Sequence, residues 1–206
     1  MNFYIMESQY NVETDEPTVT ANNDLLTQMN KFKNDYYSQN NKNMFFKKKQ
    51  KNDCAQQIST MFEQEMLFQK TIYQIPNTAN IYMDYTIFKL YANEHNYHDL
   101  VKYILSIYDK CIDSYGYYII HVNLQSFSVS AAERYKTVIQ LFNQACIRNT
   151  QRQYIDHFKS WYIYNPPHVV DTITKILRPI MEPTVMQNVI VVSKADSDEA
   201  LRKLFL

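Results

Sequence analysis

The spacing of apolar residues changes repeatedly along the first part of the chain, and each change predicts a new element. From Cys54 to Ile75 the apolar residues recur at three- and four-residue steps, as in an amphipathic helix. Residues 81–85 alternate with a period of two, which predicts a strand. The helical period then returns over residues 99–111, and Gly116 marks a turn out of that helix. The predicted order is helix, strand, helix.

The middle of the chain continues the alternation. Tyr117–Leu124 is an unbroken run of β-favouring residues, typical of a strand that is buried on both faces. The next stretch returns to helical period, with Ser130 as its predicted cap and Glu133 three residues further on. A short buried strand follows over Trp161–Tyr164.

Prolines flank the next predicted helix. Proline has a preset φ and lacks the amide hydrogen that a first helical turn leaves unpaired, so a helix can begin at Pro167. Pro183 is expected to stop it. A last strand over 189–192 and a closing helix over 196–206 complete the pattern. Four strands alternating with helices predict an α/β fold, a layer of mostly parallel strands covered by helices, and a fifth strand is left open.

Residues 1–53 are polar and poor in periodic apolar positions, which predicts a flexible N-terminal arm preceding one domain over 54–206. The arm ends in a run that pairs aromatic with basic side chains. Such a run suits a phosphate or transient membrane-surface contact, although charge runs are more often solvated surface. Its members are Phe45, Phe46, Lys47, Lys48, Lys49 and Lys51.

The net charge, the cysteine spacing and the composition of the chain limit which classes of function are expected. The formal net charge is +0, which removes the usual electrostatic argument for binding nucleic acid. Three cysteines without close spacing suggest neither a disulfide framework nor a zinc site, as expected for an intracellular protein. The sequence has no recognisable signal peptide or membrane span, so we expect a protein that is soluble or peripheral at membranes. The 18 tyrosines and single glycine are typical of A/T-rich genomes, including those of large DNA viruses.

Catalytic and cofactor motifs are not recognisable. Gly116 alone cannot form the glycine-rich turn that brings backbone close to a nucleotide phosphate. His95 and His98 have acidic neighbours but no third ligand group, so a loop on the surface is the better interpretation. Acid–base pairs can be drawn between Asp113 or Asp156 and His121 or His157, but nothing in the spacing selects one. We therefore predict a protein that is not an enzyme and has no cofactor.

The stretch from Tyr117 to Val192 resembles the CRAL-TRIO (yeast phosphatidylinositol-transfer-protein-like) lipid-binding family, as a divergent member. The family motif Y-P-E-R-x7-N-x-P corresponds to YIDHFKSWYIYNPP, with Tyr154, Asp156, Asn165 and Pro167 at matching positions. ILRPIME corresponds to the family's K-P-F-L-D, and NVIVV to its last strand. The order holds without a gap over about 40 residues.

Several positions depart from the family pattern. The aspartate of the family's D-L-x-G is Asn123, and the proline and arginine of Y-P-E-R are Ile155 and His157. The lysine and glutamate that help bind a headgroup in phosphatidylinositol-binding members correspond to Asn188 and Asp156. Recognition of phosphatidylinositol of the yeast type is therefore not expected.

The resemblance implies a lipid-binding or lipid-transfer module in which the segment Pro167–Met181 is a gate helix over an apolar pocket. The implied lipid-binding residues are Tyr118, Ile120, Phe142, Asp156, Trp161, Ile163, Val170, Ile173, Leu177 and Asn188. On periodicity alone, a filled core is the better interpretation of the apolar members of this set; with the resemblance, a pocket and a filled core suit them equally. The alternative function is a protein-interaction or structural module, for instance in a virion, with a closed pocket and a protein partner.

Overall fold

A computed structural model of the 206-residue chain describes residues 19–40, 46–148 and 152–206. Within these ranges, five strands form one sheet in the order β1-β2-β3-β4-β5. The strands are β1 (Ile72–Gln74), β2 (Asn80–Asp84), β3 (Tyr118–Asn123), β4 (Phe158–Tyr164) and β5 (Val189–Val191).

Helices precede, connect and follow the strands. Before β1 come α1 (Val19–Gln39), α2 (Lys47–Met61) and α3 (Gln64–Thr71). The helices α4 (Tyr85–Tyr91) and α5 (Tyr97–Tyr115) connect β2 to β3, and α6 (Val129–Arg148) and α7 (Tyr154–His157) connect β3 to β4. After β4 come α8 (Val170–Leu177), a 3-10 turn (Arg178–Ile180), α9 (Pro183–Gln187) and, beyond β5, α10 (Lys194–Leu204).

Hydrogen-bond pairing makes the sheet mostly parallel. Strand β1 runs antiparallel to β2, whereas β2, β3, β4 and β5 pair in parallel. The four predicted strands are confirmed, as is the α/β class. The fifth strand is β1, which lies at one edge, where a hairpin turn joins it to β2.

The pairing register assigns each strand residue to one of two faces, because side chains alternate along a strand. We call one the front face. It carries Ile72, Ile81, Met83, Tyr118, Ile120, Val122, Trp161, Ile163, Val189 and Val191. The opposite, back face carries Tyr73, Tyr82, His121, Tyr162, Tyr164 and Ile190.

Helices cover both faces, as a parallel sheet requires. On the front face, the ring of Tyr108 in α5 lies 4.3 Å from that of Tyr118 and 5.7 Å from that of Phe142 in α6. Helix α8 packs against α6. On the back face, Phe205 at the end of α10 meets the ring of Tyr82 at 4.9 Å.

The predicted helix over Cys54–Ile75 was wrong as a single element. The chain leaves α2 at Phe62 and Glu63, which have extended backbone, and re-enters a helix at Gln64. The last residues of the predicted helix form β1 instead, with Ile72 paired to Met83. Pairing with β2 is a tertiary interaction that overrides the local helical period.

Two helices also begin at residues other than the predicted ones. Helix α6 begins at Val129, and the Oγ of Ser128, rather than of Ser130, accepts a hydrogen bond from the Ala131 amide at 3.3 Å. Helix α8 begins at Val170, three residues beyond Pro167. Pro183 is the first residue of α9, so this proline starts a helix as well as following one. Gly116 does end α5, with φ of 79° in the left-handed region.

Part of the predicted arm is helical and packed. Helix α1 places Leu25, Met29 and Tyr36 in the buried core cluster, and α2 begins at Lys47. The buried side chains of α1 disagree with a loosely attached arm over 19–40, whereas residues 46–53 are exposed or half-buried and the buried residues of α2 begin at Cys54. Residues 1–18 and 41–45, including Phe45, lie outside the described residues. The division of the chain at residue 54 remains a prediction, and that position falls within α2.

We expect Met29→Ala to lower the free energy of unfolding by about 2–5 kcal/mol, because Met29 is fully buried and its truncation leaves a cavity. Urea denaturation followed by circular dichroism measures the change. The matched control is Gln28→Ala, an exposed neighbour in the same helix, which should change stability by less than about 0.5 kcal/mol. Equal, small effects of the two substitutions would contradict the packing of α1 on the core.

Candidate functional site

A layer of apolar side chains lies on the front face at β4 and β5 and on the helices beside it. Ile120 pairs in register with Trp161, which pairs with Val189, so three neighbouring strands present apolar side chains in one row. Helix α8, which packs against α6, supplies three further members. We call this set the front layer, and its members are Ile120, Phe142, Trp161, Ile163, Ile173, Ile176, Leu177 and Val189.

The front layer is packed differently from the core. The contiguous buried cluster gathers residues of α1–α7 and β1–β3, and Ile120 and Phe142 pack at its margin. Among the described residues, that cluster includes neither Trp161, Ile163 nor Leu177, which are half-buried. Ile173 is only 4% exposed, so α8 is anchored through it. Apolar area that a filled core would bury therefore stays partly exposed on β4 and on α8.

The front layer also contains one unsatisfied polar atom. The indole Nε1 of Trp161 is buried and has no hydrogen-bond acceptor among the described residues. A buried donor without a partner costs about 1–3 kcal/mol relative to a satisfied one. The backbone amide of Trp161, by contrast, donates to the Asn188 carbonyl at 3.0 Å and is satisfied by the sheet.

The predicted lipid-binding residues of β3 and α6 fall into two environments. Tyr118 is only 4% exposed, and its hydroxyl donates to the Tyr154 carbonyl at 3.1 Å, so it is held within the core. Ile120 and Phe142 are half-buried and face the front layer. The sequence gives no sign of this difference, because all three positions have the same apolar character.

The two predicted polar site residues lie at one edge of the sheet. Asp156 is exposed in α7, immediately before β4, and Asn188 is exposed immediately before β5. Because β4 and β5 are parallel, both residues are at the amino-terminal ends of neighbouring strands. The Asn188 side chain donates to the Thr184 carbonyl at 2.8 Å, so its amide stabilises the end of α9.

The predicted gate segment contains helix α8, the 3-10 turn and their flanking residues. Helix α8 is amphipathic, with Ile173 buried and Ile176 and Leu177 half-buried. Val170 is its first residue, and the Val170 side chain lies outside the described part of the structure. Asn165 has a positive φ of 50° at the exit from β4, so the chain turns sharply before α8.

The motif residues that carry the resemblance have structural roles. The Asn165 side chain donates to the Asn123 Oδ1 at 3.1 Å and joins the carboxyl-terminal ends of β4 and β3. The Asn165 backbone amide donates to the Ser197 hydroxyl of α10 at 2.8 Å. Tyr154 is buried, and its hydroxyl donates to Asp109 at 3.1 Å. These contacts fix the fold around the front layer.

The four acid–base candidates do not pair with one another. The Asp113 carboxylate forms an ion pair with Arg152 at 2.7 Å, and the His157 Nδ1 lies 2.8 Å from the Gly116 carbonyl. His121 lies on the back face, where its two ring nitrogens meet the Tyr164 hydroxyl at 2.9 Å and Asn80 Oδ1 at 3.1 Å. Burial lowers the pKa of His121 to about 4. This histidine is therefore a neutral, satisfied part of the sheet near neutral pH.

His95 is exposed in the turn that leads into α5, and His98 is exposed in the first turn of α5. The nearby Asp99 accepts hydrogen bonds from Gln64 and Lys102 instead. Within the described ranges, no group of three or more histidine, cysteine, aspartate or glutamate residues is placed to bind a metal ion.

Two cavities are open to solvent elsewhere on the molecule. One, of about 470 Å³, lies between α2 and the loop after α4 and is lined by Phe46, Lys48, Lys49, Asn52, Asp53, Gln56, Asn93, Glu94 and His95. The other, of about 300 Å³, lies between α1, α2, α4 and the start of α6. Neither cavity contains one of the ten predicted lipid-binding residues.

Comparison with known families gives a match to the CRAL/TRIO domain over residues 93–205. The match spans more than half of the chain, and the protein belongs to the CRAL-TRIO family. Domains of this family generally bind or transfer lipids and other small hydrophobic molecules and are not enzymes. No curated protein matches the chain. In the described part of the structure, no helix has both the length and the apolar character needed to cross a bilayer.

Membership of the family is thus confirmed, whereas the yeast-type subtype and the ten lipid-binding residues stay predictions. Ile176 and Val189 belong to the front layer but were absent from the predicted binding residues. Val189 becomes recognisable once β5 is placed in register with β4, since it then pairs with Trp161. Ile176 lies on the same amphipathic helix as Ile173 and Leu177, and the helical period was the signal that could have found it.

We expect stability to fall as the pH is lowered from about 6.5 to 4, in part because of His121. Its pKa in the folded protein, about 4, is below the ordinary histidine value near 6.5, so the unfolded chain binds a proton first. The stabilising contribution of neutral His121 is fully present above pH 6.5 and is lost as the pH falls toward 4. This loss lowers the free energy of unfolding by about 3 kcal/mol in total.

Urea denaturation at several pH values tests this. His121→Gln should show a shallower loss of stability over this range than the wild type. His98→Gln, which changes an exposed histidine, should keep the wild-type slope. The same slope in all three proteins would contradict the prediction.

Proposed function

We propose that this protein binds a lipid or another small hydrophobic molecule against the front layer and transfers it between membranes or proteins without catalysis. The observation that carries the proposal is the half-buried apolar surface of β4, β5 and α8, which lies outside the contiguous core. Family membership gives the class of ligand in general. The front layer is where we propose that this ligand binds.

An acyl chain suits this surface for two reasons. Each methylene that it removes from water contributes about 0.8 kcal/mol, so a long chain gains most from an extended apolar row such as Ile120, Trp161 and Val189. The Trp161 indole N–H needs an acceptor, and an ester or carboxylate oxygen of a ligand can accept that hydrogen bond.

Helix α8 is the element we propose as the gate. It is anchored on α6 through the buried Ile173, and the turn at Asn165 separates it from β4. The 3-10 turn and Pro183 lie at its other end. A short helix between two such breaks moves as a unit about hinges.

We propose that Asp156 and Asn188, at the amino-terminal ends of β4 and β5, contact the polar part of the ligand.

The single tryptophan of the chain makes the proposal directly measurable. Excitation of Trp161 should transfer energy to bound cis-parinaric acid, a fluorescent fatty acid, and a titration gives the affinity. Ile163→Glu should weaken binding at least about tenfold, because a carboxylate buried in the apolar layer must be desolvated.

The matched control is Ile190→Glu. Ile190 lies on the neighbouring strand but on the back face, where it is 42% exposed, so the same substitution should leave binding unchanged. Native mass spectrometry of the purified protein identifies any copurified lipid. A folded protein that carries no lipid and takes up no parinaric acid would contradict the proposal and favour the protein-interaction function with a closed pocket.

A further inference from the structure

The cavity of about 300 Å³ at the start of α6 has an unusual charge. Among the described residues, its wall includes four cationic side chains and three serine residues, and no aspartate or glutamate. We call this cavity the basic cleft; its lysine, arginine and serine side chains are Lys33, Lys51, Lys89, Arg134, Ser126, Ser128 and Ser130. The cleft is at the lower end of the usual volume range of ligand pockets.

Four separate elements bring the cations together. Lys33 comes from α1, Lys51 from α2, Lys89 from α4 and Arg134 from α6. The last two elements follow β2 and β3, so the cleft lies beyond the carboxyl ends of two neighbouring parallel strands, which is where open α/β sheets commonly bind ligands. Helices α1 and α2 close it from the other side.

The described carboxylates leave the four cations of the cleft without an ion pair. Lys89 donates to the Ser126 hydroxyl at 2.6 Å, and Arg134 donates to Asn52 at 2.9 Å and to the Ala92 carbonyl at 3.4 Å. These are neutral partners, which orient the two side chains and leave their charge in place.

The directions of two pKa shifts agree with the closeness of Lys33, Lys89 and Arg134 in the cleft. The pKa of Lys89 is lowered by burial and, next, by the charge of Lys33, with Asp84 acting in the opposite direction. Burial raises the pKa of the Cys54 thiol, and both Lys33 and Arg134 act against that rise. The Asp84 carboxylate is engaged by the amide and hydroxyl of Thr86, at 2.7 and 2.6 Å.

The other cavity gives a useful contrast. There Lys48 and Lys49 share the wall with Asp53 and Glu94, so cations and carboxylates offset each other. In the basic cleft like charges are held together, which is unfavourable unless a counter-ion is present. Serine hydroxyls beside lysine and arginine are the donors that phosphate oxygens accept from.

We propose that the basic cleft is a binding site for a phosphate monoester, separate from the front layer. Lys89 and Arg134, oriented by Ser126 and Asn52, contact the phosphate oxygens, while Lys33 and Lys51 supply charge from the covering helices. The phosphate belongs either to a soluble metabolite or to a lipid headgroup displayed on a membrane. The proposal does not depend on whether the front layer binds lipid.

Two probes with the same headgroup distinguish the two sources. Glycerol 3-phosphate is titrated into the 206-residue chain by calorimetry at low ionic strength. Vesicles of phosphatidylcholine with phosphatidic acid are tested by co-sedimentation, and vesicles with phosphatidylserine, whose phosphate is a diester, serve as the comparison. Binding to glycerol 3-phosphate indicates a soluble ligand, whereas preferential binding to phosphatidic acid vesicles alone indicates a headgroup. Either result, combined with loss in the variants below, supports the site.

We expect Lys89→Gln to weaken binding about tenfold, since it removes one charge-assisted hydrogen bond. The double variant K33Q/K51Q removes two charges whose side chains have no hydrogen bond within the described residues, so it tests the site without disturbing packing. Lys110→Gln, an exposed lysine of α5 outside the cleft, is the matched control and should bind like the wild type.

Uptake of cis-parinaric acid should be the same in all of these variants, because the front layer is unchanged. No binding of either probe, equal binding to phosphatidic acid and phosphatidylserine vesicles, or the same loss in Lys110→Gln as in the cleft variants would overturn the proposal.

Discussion

Parallel pairing of β2 to β5 is the constraint on which the rest of this structure depends. Parallel strands need long crossovers and helices on both faces, so their pairing determines where α5, α6, α8 and α10 lie. The contiguous core lies mainly at β1–β3, and the side chains of β4 and β5 are less deeply buried. The strand part of the front layer is this less buried apolar surface, and the short helix α8, which is bounded by turns, packs against α6.

The contacts of the motif residues explain how the family remains recognisable in this sequence. Asn123 and Asn165 bond to each other across the ends of β3 and β4, and Tyr154 is buried against α5. These residues hold strands and helices in place, whatever ligand is bound. Asp156 and Asn188, by contrast, are exposed at the ends of α7 and α9, and they are the positions that we propose contact the polar part of a ligand.

The formal net charge of +0 does not show how charge is distributed on this protein. The chain has as many acidic as basic residues, yet four cations from α1, α2, α4 and α6 meet in one cleft without a carboxylate in its wall. If both proposals hold, the protein has an apolar site on the front face and a phosphate site at the carboxyl ends of β2 and β3. Two such sites would let the presence of a phosphate ligand or an anionic membrane influence when the apolar ligand is exchanged.

The sequence by itself determined the alternation of strands and helices from β2 onward, the turn at Gly116 and the family, because period, turn residues and motif spacing are local properties. It also identified most of the front layer, since apolar strand and helix faces are periodic. Only the tertiary structure decided that Ile72 joins a strand, that Tyr118 is enclosed while Trp161 is not, and that Lys33, Lys51, Lys89 and Arg134 converge. Each of these depends on contacts between residues far apart in the chain, which no local pattern records.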